Sequence, residues 1–104
     1  FDVRCLPNPF YIRELKMKTG ISPEVQEYVM SWAQSQELLK KLTDLIDFLI
    51  PLYIAEGKSQ LVIAVGCTGG KHRSVTIARE LSQHLHQQGL RVITSHRDIE
   101  KKKL

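Results

Sequence analysis

The chain has 104 residues, 42% hydrophobic and 25% charged, with 15 Lys and Arg against 11 Asp and Glu for a net charge of +4. That is about one average globular domain with one modest core. No apolar run approaches the ~20 residues that span a bilayer, no signal peptide leads the chain, and Cys5 and Cys67 form neither a metal-ligand spacing nor a disulfide scaffold, so reduced cytoplasmic thiols are expected.

Phe1 to Leu6 reads as a short strand closed by Pro7-Asn8-Pro9, a turn that neither a helix nor a sheet interior accepts. A helical turn is expected around Ile12 to Leu15. Ser22-Pro23-Glu24 has the form of a helix start, with Ser22 as N-cap and Pro23 in the first helical position. Val25, Tyr28, Val29 and Trp32 follow at helical spacing; Tyr28 and Trp32 suit the core, or an interface between copies. A longer helix carries Leu38, Leu39, Leu42, Leu45, Ile46, Leu49 and Ile50, with Pro51 expected to kink or restart it and Gly57 to stop it.

Leu61 to Val65 is a continuous apolar run, the pattern of a strand covered on both faces. Ile77, Ala78, Leu81 and Leu85 mark a third helix closed near Gly89, and Arg91 to Ser95 reads as a third strand. This order predicts an α/β fold over residues 1–104, a small and mainly parallel sheet flanked by helices. Such sheets bind ligands beyond the carboxyl ends of their strands, where the 66–74 loop falls and Asp2 to Asn8 would emerge. The chain opens on Phe1-Asp2-Val3-Arg4 without an initiator Met, as expected of the C-terminal part of a longer protein.

Gly66-Cys67-Thr68-Gly69-Gly70-Lys71-His72-Arg73-Ser74 joins the apolar run to the third helix. Glycines let the backbone approach a ligand closely, and the loop amides and positive helix end converge on one spot. A nucleotide P-loop fits the spacing poorly: Gly66 to Lys71 is one residue short of G-x-x-x-x-G-K-[ST], and His72 stands where a magnesium-binding hydroxyl belongs. Cys67 with Arg73-Ser74 resembles the C-x5-R-[ST] signature of cysteine-dependent phosphatases. Gly66 replaces the His that usually precedes that nucleophile, and no acid loop is evident. Binding without chemistry asks for nothing the loop lacks. Thr68, Gly69 and Gly70 offer amides and a hydroxyl, Lys71, His72 and Arg73 supply charge, and Ser74 closes the motif.

Arg91, His96, Arg97, Lys101, Lys102 and Lys103 crowd the last fourteen residues. A basic terminus of this kind is either a solvated tail or an electrostatic contact for a phosphate backbone.

Three blocks, FDVRCLPNPFYIRELKMKTG, GCTGGKHRSV and SHRDIEKKK, resemble the C-terminal domain of the bacterial RapZ/YvcJ family, and the likeness covers essentially the whole chain. The resemblance implies a fold similar to a portion of phosphofructokinase. It implies that any ATP or GTP belongs to a separate N-terminal domain with Walker motifs, leaving this domain without a cofactor or catalytic role. In the RNase adapter branch it implies binding of glucosamine-6-phosphate and of a small regulatory RNA presented to an endoribonuclease. Thr68, Gly69, His72 and Arg73 would then contact the phosphosugar with Asp2 nearby, and Lys101, Lys102 and Lys103 would contact RNA, joined by Arg97. Phe10 stands where the adapter branch can carry a His of the sugar site, and Leu90 replaces a basic residue, departures that point to the YvcJ side.

Overall fold

The computed structural model describes residues 1–100. A 3-10 turn, Pro9–Tyr11, precedes three helices: α1 (Pro23–Met30), α2 (Ala33–Ala55) and α3 (Arg73–Gln87). The turn forms because the Asn8 side chain accepts from the Phe10 amide and Pro9 presets the backbone angle. α1 begins where its sequence indicates, at extended Ser22 and helical Pro23, although the Ser22 hydroxyl caps nothing. α2 runs through Pro51 to Ala55 as one helix without a restart. Pro51 only deprives the Asp47 carbonyl of its donor. Gly57, at φ +83°, then lets the chain reverse, with the Lys58 amide donating to the Tyr53 carbonyl at 3.0 Å.

Val25 and Val29 of α1, Leu42 and Ile46 of α2, and Ile77, Leu81 and Leu85 of α3 are buried together with Val3, Leu6 and Leu15 from the N-terminal segment. Across α2 and α3, His84 Nε2 lies 2.9 and 2.8 Å from the two Asp47 carboxylate oxygens, and Gln88 also donates to Asp47. Tyr28 is half-buried against Trp32 in an edge-to-face pair at 6.2 Å, while Trp32 stays 43% exposed. Among the described residues no helix is long and apolar enough to cross a membrane.

The expected α/β fold with a small parallel sheet, and with it the likeness to a phosphofructokinase subdomain, is not what the chain forms. Among the described residues there is no strand or sheet, only one isolated parallel bridge between Asp2 and Gly66. The bridge ends at once because the chain turns after Val3, whose carbonyl accepts from the Leu6 amide. Ile63, Val65 and Cys67, and likewise Leu90 and Val92, pack inward on the helical core. Val62 and Ile93 face solvent at 86% and 85% exposure. The extended segments therefore alternate as strands do, but each rests one face on helices and forms no ladder. Continuous apolarity over Leu61 to Val65 signals two-sided burial; the structure covers one side.

Candidate functional site

The 66–72 bend lies between the N-terminal segment and the start of α3, not at the edge of a sheet. The Val3 amide donates to the Gly66 carbonyl and the Gly66 amide to the Phe1 carbonyl, each at 2.8 Å, which brings Asp2 beside the bend. Gly69 and Gly70 then adopt positive φ, +78° and +67°, so the chain doubles back within two residues that need no side chain. Gly20 locks the far side. Its amide donates to the Lys71 carbonyl at 2.8 Å, and a Cβ there would sit 2.7 Å from the His72 carbonyl oxygen.

The loop residues singled out in the sequence divide into two groups. Thr68 and Gly69 are exposed, with Gly70 and Lys71 half-buried beside them. Among the described residues nothing accepts from the Thr68, Gly69 or Lys71 amides, so three main-chain donors remain near the N-terminus of α3. His72, Arg73 and Ser74 are buried, each about 5–6% exposed. The His72 carbonyl accepts from the Thr76 amide at 3.0 Å and from its hydroxyl at 2.8 Å, anchoring the first turn of α3.

Arg73 turns inward. Its Nη1 donates to the Arg4 carbonyl at 2.6 Å and the Leu6 carbonyl at 3.1 Å, and its Nε is buried without a partner among the described residues. The guanidinium is thus a strut between α3 and the N-terminal segment. Asp2 is exposed and held by Arg4, whose Nη2 donates at 2.7 Å and Nε at 2.9 Å to the same carboxylate oxygen. Those bonds hold the Asp2 carboxyl down at about 2, against an ordinary 3.8.

Ser74 is spent on Cys67. Its amide donates to the sulfur at 3.3 Å and its hydroxyl lies 3.2 Å away. Burial pushes this thiol up, but the Ser74 hydroxyl, the Ser74 and Gly70 amides and the Arg73 charge together outweigh burial, and the net direction is down. Cys5 and Cys67 are both free thiols.

Arg97 is exposed and donates to the neighbouring Asp98 from Nε at 3.2 Å and Nη2 at 3.1 Å. Lys101, Lys102 and Lys103 lie outside the described residues. The structure adds three residues that the sequence does not single out: Arg4, Gly20 and Asp98. Asp98 packs on the bend, with its Cβ 3.1 Å and its Oδ2 3.3 Å from where a Gly70 Cβ would stand. Only Gly20 left a local signal, a glycine just ahead of a helix start. Among the described residues no cluster of His, Cys, Asp or Glu could hold a metal.

The model of the RapZ C-terminal domain matches residues 1–100. A nucleotide-binding protein of Caldicellulosiruptor bescii is 63% identical over 101 residues, 97% of this chain and 35% of the relative. One from a Thermoanaerobacter species is 65% identical over 99 residues, covering 95% of this chain and 35% of that protein. One from Geobacillus thermodenitrificans is 52% identical over 103 residues, 99% of the chain and 34% of the relative. The chain therefore spans about a third of the length of the curated relatives it matches. With a match from its first residue through Glu100, this chain belongs to the RapZ C-terminal domain family.

Proposed function

We propose that the 66–74 bend is a receptor, without catalysis, for the phosphate of a phosphorylated amino sugar, glucosamine-6-phosphate or a related metabolite. Its occupancy would be coupled to a regulatory RNA or protein partner in the cytoplasm. The observation that carries the reading is the set of Thr68, Gly69 and Lys71 amides, unspent among the described residues, on a two-glycine bend near the start of α3. Uncommitted amides beside a helix N-terminus favour a dianion, and Lys71 adds a positive charge. Asp2, held beside Gly66, is placed to accept from a sugar hydroxyl or ammonium once Arg4 shares it.

Arg73 serves this site as its support rather than as a clamp on the phosphate, because its Nη1 is committed to the two carbonyls. The partner-facing end comprises Arg97, Lys101, Lys102 and Lys103, where a phosphate backbone would bind with a steep salt dependence. The relatives are named as nucleotide-binding proteins, and each is nearly three times as long as this chain. The spacing of Gly66 to Lys71 lacks a P-loop, so we assign no nucleotide to this segment.

Calorimetry with glucosamine-6-phosphate tests the reading. Binding is expected in the wild type, weakened about ten-fold by Lys71→Ala, the loss of one charged contact. No heat of binding at millimolar ligand removes the receptor.

One observation favours a second reading, a cysteine-dependent phosphatase-like site: the Cys67 thiol is drawn below its ordinary range. Turnover of an aryl phosphate that disappears in Cys67→Ser would establish it. Absence of turnover between about pH 5 and 8, where such a thiolate operates, ends it.

A further inference from the structure

We propose that Asp98 is the charge gate of the 66–72 bend, a carboxylate that opposes an incoming phosphate and competes with it for Arg97. This deepens the phosphate-receptor reading and rests on it.

The gate is built by the path of the chain after α3. Thr94 is pinned to that helix by its hydroxyl, which donates to the Ser82 hydroxyl at 2.8 Å. His96 lines a groove of about 230 Å³ together with Val75 and Arg79 of the same helix. The segment thus runs back along α3 toward its N-terminus, and two residues later Asp98 arrives on Gly70. A Cβ at Gly70 would stand 3.1 Å from the Asp98 Cβ and 3.3 Å from its Oδ2. The glycine therefore does two things: it accepts positive φ, and it leaves room for this carboxylate.

A fixed negative charge against an anion site opposes the ligand wherever the two are present together. The Asp98 side chain is 24% exposed, so solvent screens it only in part. Arg97, 91% exposed, is bound to both Asp98 oxygens, so the two charges compensate each other only in part. A phosphate dianion in the bend competes with the adjacent Asp98 carboxylate for Arg97. The guanidinium is then available to the dianion or to a polyanionic partner. Ligand and partner are coupled through one exposed ion pair, and coupling of that kind is reciprocal.

Calorimetric titration of inorganic phosphate into the 104-residue chain and its Asp98→Asn and Asp98→Ser variants tests the gate. Both variants are expected to bind phosphate about ten-fold more tightly at low salt, the scale of one relieved like-charge contact. The gain should shrink in about 0.5 M NaCl, where exposed charges are screened. Binding detectable in the variants alone supports the gate equally. Variants that bind phosphate no better than the wild type overturn it and leave the receptor standing. If none of the three chains binds phosphate, the receptor falls and the gate falls with it. Circular dichroism of each variant, unchanged from wild type, confirms that the helices are intact.

Discussion

The Arg73 guanidinium donates to the Leu6 carbonyl at 3.1 Å, fastening the first residue of α3 to a segment 67 positions earlier in the chain. The same Nη1 donates to the Arg4 carbonyl at 2.6 Å. Both acceptors belong to the turn that ends the Asp2–Gly66 bridge, so this one side chain sets how the N-terminal segment meets the bend. Arg73→Ala removes two charge-assisted bonds at a buried site and is expected to cost about 2–4 kcal/mol in urea denaturation. Arg73→Lys keeps the charge but not the planar fork, and should recover only part of that loss. A change below about 0.5 kcal/mol, the size of an ordinary surface substitution, would show that the strut contributes no stability.

Asp2 offers a pH prediction with a definite sign. Its carboxyl titrates at about 2 in the folded chain, below the ordinary 3.8, because Arg4 bonds the ionised form. A depressed acid stabilises the fold above its unfolded value and loses that contribution as pH falls through the folded value. The Arg4–Asp2 pair should therefore persist at pH 4 and open as the pH drops to about 2. Carboxyl NMR titration reads this directly, and Arg4→Ala should return the midpoint toward 3.8. An Asp2 midpoint that does not move in Arg4→Ala would refute the assignment of the cause.

Gly20 is where backbone meets backbone. A methyl group there would lie 2.7 Å from the His72 carbonyl oxygen and 2.8 Å from the Thr76 amide nitrogen. Neither atom can retreat without breaking the Thr76–His72 bond that starts α3. Gly20→Ala is expected to destabilise the chain by about 1–3 kcal/mol, the range for a forced backbone shift. Weakened phosphate binding should accompany it, because Gly20 also holds Lys71 through its carbonyl. Thermal unfolding and calorimetry of the same variant measure both, and a wild-type Tm would count against the locking role.

The helices were legible because their signals are local. Ser22-Pro23, the apolar spacing of Leu42 and Ile46, and Ile77, Leu81 and Leu85 each act within a few residues. The absence of a sheet is not legible locally, because pairing depends on partners that local apolarity does not name. Ile63, Val65 and Val92 found helix faces instead of strands. The bend itself was visible in its glycines, and two positive-φ positions are present there. The inward turn of Arg73 was not, since its acceptors are main-chain carbonyls common to every residue type. Asp98 was hidden for a similar reason: it reaches the bend only through the return path of residues 94–98.

Cys67 carries the last expectation. Burial alone would raise its thiol, yet the Ser74 hydroxyl and amide, the Gly70 amide and Arg73 turn the balance downward. In a Cys5→Ser background, alkylation by iodoacetamide should report a midpoint below the ordinary 9.0. The midpoint is the proper readout, because half-burial slows the absolute rate without altering the fraction ionised. Ser74→Ala deletes the hydroxyl 3.2 Å from the sulfur and leaves the amide in place, so the midpoint should rise but not revert fully. A midpoint at or above 9.0 in the parent background would mean that desolvation wins over the donors. The bend would then hold a half-buried thiol of no special acidity, and the phosphatase-like reading would lose its one support.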